Sequence, residues 1–146
     1  MMPLITATQP LPFFVYGTLR PGASLYDGVA EFVVHHEPAV LPGFDLFLTG
    51  YPAIRVSDRR GAIVHGDLLW TNDHDAALMR CDNIENYYPG VDVMYIRAAV
   101  PVYSRSGRAA AWVYLGGPRT GFPSNYLESG DFKLARPELW HEEVPV

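Results

Sequence analysis

The sequence predicts an α+β domain built on a small mixed, barrel-like β-sheet with few short helices. Three observations point there. Runs of β-branched and aromatic residues of strand length recur along the chain, separated by turn residues at hairpin spacing. Only one stretch carries a convincing helical pattern. Thirteen glycines and thirteen prolines among 146 residues break the chain into many short elements. Many strands, few helices and hairpin spacing together suggest the α+β arrangement.

Taken in order, residues 1–11 read as a flexible leader and 12–146 as a single domain, long enough to bury its own core. A first strand is expected over about Phe13 to Tyr16, an apolar run that stops at Gly17. Segments 32–40 and 44–48 read as two strands separated by the turn Leu41-Pro42-Gly43. Tyr51 to Val56 is expected to enter a hairpin with its tip at Ser57 to Gly61, and Ile63 to Trp70 to be the returning strand. The helix is expected over about Asp73 to Tyr87, with Asn72 or Asp73 as its cap and Asp75 suited to the positive end of its dipole. Met94 to Tyr103 and Ala109 to Leu115 form a second hairpin through Ser104 to Gly107. The tail from Glu128 is turn-rich and is expected to pack Phe132 and Trp140 back on the body.

Composition excludes several classes. A net charge of −5, from 16 acidic against 11 basic residues, argues against nucleic-acid binding, which needs a dense basic surface. No stretch approaches the ~20 continuous apolar residues of a membrane helix, and the first residues lack the basic segment of a signal peptide. A cytoplasmic location without membrane partners is therefore expected. The single cysteine, Cys81, rules out an internal disulfide framework and a multi-cysteine metal site. The five histidines show no ligand spacing, and no Gly-x-Ser-x-Gly elbow is present. Oligomeric state leaves no mark on the sequence.

Two segments carry chemistry. In the helix, Leu78, Cys81 and Glu85 stand at i, i+3 and i+7, so Glu85 shares a stripe with two apolar residues. There, burial and the negative end of the helix dipole both disfavour the ionised form, which raises the pKa toward the range of a general base. The competing reading is a surface carboxylate at a frayed helix end, paired with Arg80 or Arg97. The second segment is Tyr16-Gly17-Thr18-Leu19-Arg20-Pro21-Gly22. Gly17 allows close backbone approach, successive N–H groups can form a concave anion nest, and Thr18 adds a hydroxyl. An ordinary strand-to-turn transition would read the same way. Cys81, mid-helix on the apolar stripe, reads as a small buried hydrophobe.

In sequence order, these segments resemble the γ-glutamylcyclotransferase-like family. The family signs are Tyr16 to Leu19, Gly50-Tyr51-Pro52-Ala53-Ile54, Gly66-Asp67-Leu68, Asp82-Asn83-Ile84-Glu85 followed by Tyr95-Ile96-Arg97, Ala111-Trp112-Val113-Tyr114, and Ser129-Gly130-Asp131-Phe132. They span roughly residues 12 to 133, and the Thr-Leu-Arg-Pro-Gly form looks closest to the γ-glutamylamine branch. The resemblance implies a barrel-like fold with one polar cavity. It also implies cyclisation of a small γ-glutamyl substrate to 5-oxoproline with release of an amine or amino acid, without metal or cofactor. It places the catalytic acid/base on Glu85 and the substrate-binding set on Tyr16, Gly17, Thr18, Leu19, Arg20 and Tyr95. Two alternatives stay open: a non-catalytic small-molecule binding domain with a retained pocket, and an amidohydrolase-like variant releasing glutamate.

Overall fold

The computed structural model describes residues 10–48, 52–85, 95–116, 122 and 125–140. Among these residues, seven strands and two α-helices occur in the order β1 (Phe13–Val15), β2 (Val33–Pro42), β3 (Phe44–Leu48), β4 (Pro52–Val56), β5 (Ile63–Thr71), α1 (His74–Ile84), β6 (Tyr95–Ser104), β7 (Gly107–Gly116) and α2 (Phe132–Ala135). Five of them close a barrel in the order β1-β5-β2-β6-β7, while β3 and β4 form a separate two-stranded sheet. The barrel is mixed because β1 runs antiparallel to β5 but parallel to β7, where Phe13 faces Trp112. The architecture is the α+β, barrel-like one the strand pattern predicts.

The apolar runs have a physical origin in this closure. Alternate residues of a strand face opposite sides of the sheet. In β1, Phe14 joins the cluster inside the barrel with Leu41, Val64, Leu68, Val102 and Val113. Phe13 and Val15 join a second cluster outside it, with Leu69, Trp112, Tyr114 and the Ala77 and Cys81 face of α1. Strands covered on both faces read as unbroken hydrophobic runs. Gly66 serves the same closure: a Cβ there would lie 2.3 Å from the Val15 carbonyl oxygen, so only glycine lets β5 approach β1 this closely.

Three expected elements need correction. The strand read as 32–40 runs on through Leu41 and Pro42, which pair with Val64 and Ile63, and the turn shrinks to Gly43 at φ 87°. The expected hairpin between Tyr51–Val56 and Ile63–Trp70 does not form. Instead β4 pairs with β3, from Phe44 opposite Val56 to Leu48 opposite Pro52, and β5 pairs with β1 and β2. The reason lies at the base of this excursion: the Gly43 N–H donates to the Ala62 carbonyl (2.9 Å) and the Ser57 N–H to the Gly43 carbonyl (2.9 Å). The chain thus leaves the barrel at Gly43 and re-enters at Ala62, making 44–56 a hairpin of its own. Finally, α1 is helical over His74–Ile84 with Glu85 as its C-cap residue; the expected helical residues 86 and 87, like residues 1–9 of the leader, lie outside the described residues.

The second expected hairpin is present, with β6 and β7 paired from Tyr95–Gly116 to Ser104–Gly107. The tail folds back as expected: Phe132 is buried, its ring 5.9 Å from that of Trp140, and Trp140 bridges to Ala23. Asp73 caps α1 by accepting the Ala76 N–H at 3.2 Å. Asp73→Ala is expected to cost about 1 kcal/mol, read as a lower Tm with activity retained. No described helix is long and apolar enough to cross a membrane.

Candidate active site

The end of β1, the following loop, the start of β4, the C-terminus of α1 and one strand position each from β6 and β7 surround a cavity of about 300 Å³. Its wall includes Tyr16, Gly17, Thr18 and Leu19 on one side, Glu85 on another, and Tyr95 and Tyr114 between them; Phe14, Val15, Leu25, Pro52 and Ile84 supply apolar surface. Among the described residues, Glu85 is the single charged side chain on this wall.

The loop is held by its own backbone. The Arg20 N–H donates to the Gly17 carbonyl (3.1 Å) and the Leu25 N–H to the Thr18 carbonyl (2.9 Å). Among the described residues, the N–H groups of Thr18 and Leu19 have no acceptor. Adjacent backbone donors of this kind are what an anion-binding nest is built from. Gly17 is required by contact: a Cβ would lie 2.6 Å from Pro52 Cγ, and Pro52 in turn accepts the Tyr95 hydroxyl on its carbonyl at 2.6 Å.

Glu85 follows the last residue of α1, its N–H bonded to the Cys81 carbonyl at 2.9 Å. The helix face beneath it is apolar, with Cys81 and Ala77 buried and Leu78 and Ile84 packed on the same cluster. Burial pushes the Glu85 pKa up to about 7. The unpaired carbonyls of the helix end act in the same direction. The two arginines that could have neutralised it are engaged elsewhere: Arg80 with Glu31 (3.1 Å) and the Gly28 carbonyl (2.7 Å), Arg97 with Asp82 (3.2 Å). Tyr16 is raised well above the usual phenol range, first by burial, then by its proximity to Tyr95 and Glu85. Cys81 is pushed up to about 12, mainly by burial and further by the charges of Glu85 and Asp82. It is therefore an inert core thiol.

Of the residues the sequence singled out, the structure brings Glu85, Tyr16, Gly17, Thr18, Leu19 and Tyr95 to one cavity and leaves Arg20 off its wall. The Arg20 guanidinium turns the other way, with Nε 2.7 Å from Asp67 and Nη1 3.0 Å from Asp131, and lies 5.8 Å from the Trp140 ring centre. It ties the loop to the barrel and the tail. Tyr114, Leu25, Pro52 and Ile84 were not singled out as site residues. Tyr114 was visible only as the last residue of the Ala111-Trp112-Val113-Tyr114 segment, and the apolar three carry no chemical signal of their own. Among the described residues, no group of three or more His, Cys, Asp or Glu side chains is gathered as a metal site.

The fold has solved relatives. YkqA from Bacillus subtilis is 23% identical, with a TM-score of 0.64 over 88% of this chain; the match spans 41% of YkqA. An AIG2-like protein from Mus musculus is 21% identical, with a TM-score of 0.62, covering 81% of this chain and 86% of the other. A protein from Arabidopsis thaliana is 27% identical, with a TM-score of 0.59, covering 92% and 80%. No curated protein sequence matches. The sequence profile described as Gamma-glutamyl cyclotransferase, AIG2-like matches residues 13–134. With most of the chain matched and the barrel shared by these structures, the protein belongs to the γ-glutamyl cyclotransferase, AIG2-like family.

Proposed function

We propose that the protein cyclises a γ-glutamyl compound to 5-oxoproline and releases the attached amine, with Glu85 as the general acid/base. The observation that carries this reading is the Glu85 carboxyl, its pKa near 7, on the same small cavity as the Thr18 and Leu19 N–H groups. The loop donors would hold the glutamyl moiety and set its α-amine against its own γ-carbonyl carbon. Ring closure is intramolecular, so fixing the right conformer is the main requirement. Glu85 takes a proton from the α-ammonium, and the freed nitrogen lone pair attacks the γ-carbon. The carbonyl electrons move to oxygen, where loop amides stabilise the oxyanion. When the tetrahedral centre collapses, the bond to the leaving nitrogen breaks and Glu85 returns a proton to it; the surplus proton on the ring nitrogen passes to the released amine, which leaves as an ammonium. Such acid/base help is worth roughly 10² to 10⁴ in rate.

A leaving group without a carboxylate suits this wall best, because among its described residues it offers no cation to pair with one. That, with the Thr18-Leu19-Arg20-Pro21-Gly22 sequence, supports the γ-glutamylamine class. The test is mass-spectrometric detection of 5-oxoproline from a panel of γ-glutamyl amines and dipeptides. Free glutamate in place of 5-oxoproline would mean hydrolysis, and binding without product would mean a retired site. Because the base must be ionised to act, kcat/KM is expected to rise with pH and level off above a midpoint near 7. A midpoint near 4.5 would show that the acting carboxylate is not the buried one.

A further inference from the structure

Asp82 stands one turn before Glu85 on α1, yet it is not on the cavity wall. Both of its oxygens are engaged. Oδ1 accepts the Tyr114 hydroxyl at 2.6 Å and Oδ2 pairs with Arg97 Nη1 at 3.2 Å. Arg97 and Tyr114 are direct partners across β6 and β7, so a single carboxylate pins the last turn of the helix to two adjacent barrel strands. The Arg97 guanidinium is itself seated over the Trp112 ring at 5.2 Å. Tyr114 also reaches the other side of the cavity: its carbonyl accepts the Tyr16 hydroxyl at 2.5 Å, and Tyr16 begins the loop.

We infer that Asp82 is a positioning residue, which through Tyr114 and Arg97 holds the end of α1 so that Glu85 faces the loop across the cavity. A helix C-terminus frays unless something outside the helix holds it. Among the described residues, the other polar side-chain tie of α1 after its first turn is Arg80, two residues further back and exposed. The clamp also sets the polarity of the wall. Tyr114 has one proton and gives it to Asp82, and Tyr95 gives its proton to the Pro52 carbonyl. Neither phenol therefore has a proton left to donate into the cavity. Glu85 and the N–H donors on the loop suit the two ends of an amino-acid head group, ammonium and carboxylate respectively.

This inference rests on the cyclotransferase reading, so its test includes a measurement that needs no turnover. The groups facing Glu85 are Cys81 on its own helix, Tyr16 from the loop, Tyr95 from β6 and Tyr114 from β7. Glu85 would be titrated by carboxyl ¹³C NMR in the full chain, in Asp82→Asn and in Tyr114→Phe, with Glu85→Gln assigning the signal; kcat and KM would be measured alongside. Release of the helix end is expected to lower the Glu85 midpoint by at least about half a unit in both variants as the carboxyl gains solvent. Misplacement of the base is expected to lower kcat about 10- to 100-fold. Tyr114→Phe keeps the Asp82 charge and makes the wall more apolar, so without a clamp its midpoint would stay or rise. A midpoint that falls only in Asp82→Asn would be a charge effect, and an unmoved midpoint with kcat retained in both folded variants would show no clamp; either result overturns the inference. Absence of product from the wild type would overturn the cyclotransferase reading, while the titration would still report on the clamp.

Discussion

Glu85→Gln is expected to reduce 5-oxoproline formation by at least about 10²-fold while the protein becomes more stable at alkaline pH. The two effects share one cause. The amide keeps the size of the side chain but can neither accept the ammonium proton nor return one to the leaving nitrogen. It also removes a charge that burial opposes. The carboxyl has a folded-state pKa of about 7 against an ordinary 4.5. Below pH 4.5 it is protonated in both states and costs nothing. Between 4.5 and 7 the unfolded chain releases its proton first, so the folded state binds more protons and stability falls as pH rises. Above 7 the cost is complete, at most about 3 kcal/mol for a shift of this size, and less to the extent that solvent in the cavity screens the charge. The glutamine variant should therefore match the wild type in thermal melts near pH 4 and exceed it at pH 8. A variant that loses both activity and Tm at pH 8 would mark Glu85 as a structural residue.

Arg20→Ala is expected to destabilise the protein by about 3 kcal/mol, because it strands two carboxylates at once. Asp67 on β5 and Asp131, the N-cap of α2, both lean on the Arg20 guanidinium, and the three side chains keep only 11%, 13% and 20% of their surface. The Trp140 indole N–H, which donates to the Pro21 carbonyl at 3.2 Å, and the backbone bridge between Ala23 and Trp140 are the remaining polar ties described between this loop and the tail. With the ion pairs gone the loop should loosen, and KM should rise as a consequence of lower order. Arg20→Lys is expected to recover little, since a single ammonium on a flexible stem replaces a planar fork that meets two acids from different elements. Thermal melts with KM measured in parallel separate the readings: an unchanged Tm with a sharply raised KM would place Arg20 on the substrate.

These two residues also show how far sequence alone could reach. Helical spacing put Glu85 on the stripe of Leu78 and Cys81 but left a surface carboxylate at a frayed helix end open, and the family resemblance chose between the two. Arg20 was drawn to the site by its neighbours in the chain. Loop residues have no fixed periodicity, and the direction of a side chain within a turn depends on acids 47 and 111 positions away. Asp82 lay in plain view at i−3 from Glu85, but spacing could not distinguish a second acid from a clamp.

By itself the sequence determined the local elements: roughly where the strands lie, the capped helix, the Ser104 to Gly107 turn, and the presence of a glycine-led loop and a carboxylate on an apolar helical stripe. Each follows from side-chain periodicity, cap chemistry or backbone restriction, all of which act over a few residues. Beyond the β6–β7 hairpin, which local pattern already gave, tertiary structure decided which strand pairs with which. The turn at Ser57 to Gly61 was read as a hairpin tip, yet β4 folds on β3 and β5 closes the barrel between β1 and β2. Any strand edge offers the same unpaired N–H and C=O groups, so local pattern cannot choose a partner. The choice is made by what closure buries on both faces of the sheet. That same closure brings the loop after β1 and the end of α1, some 67 positions apart in sequence, to one cavity.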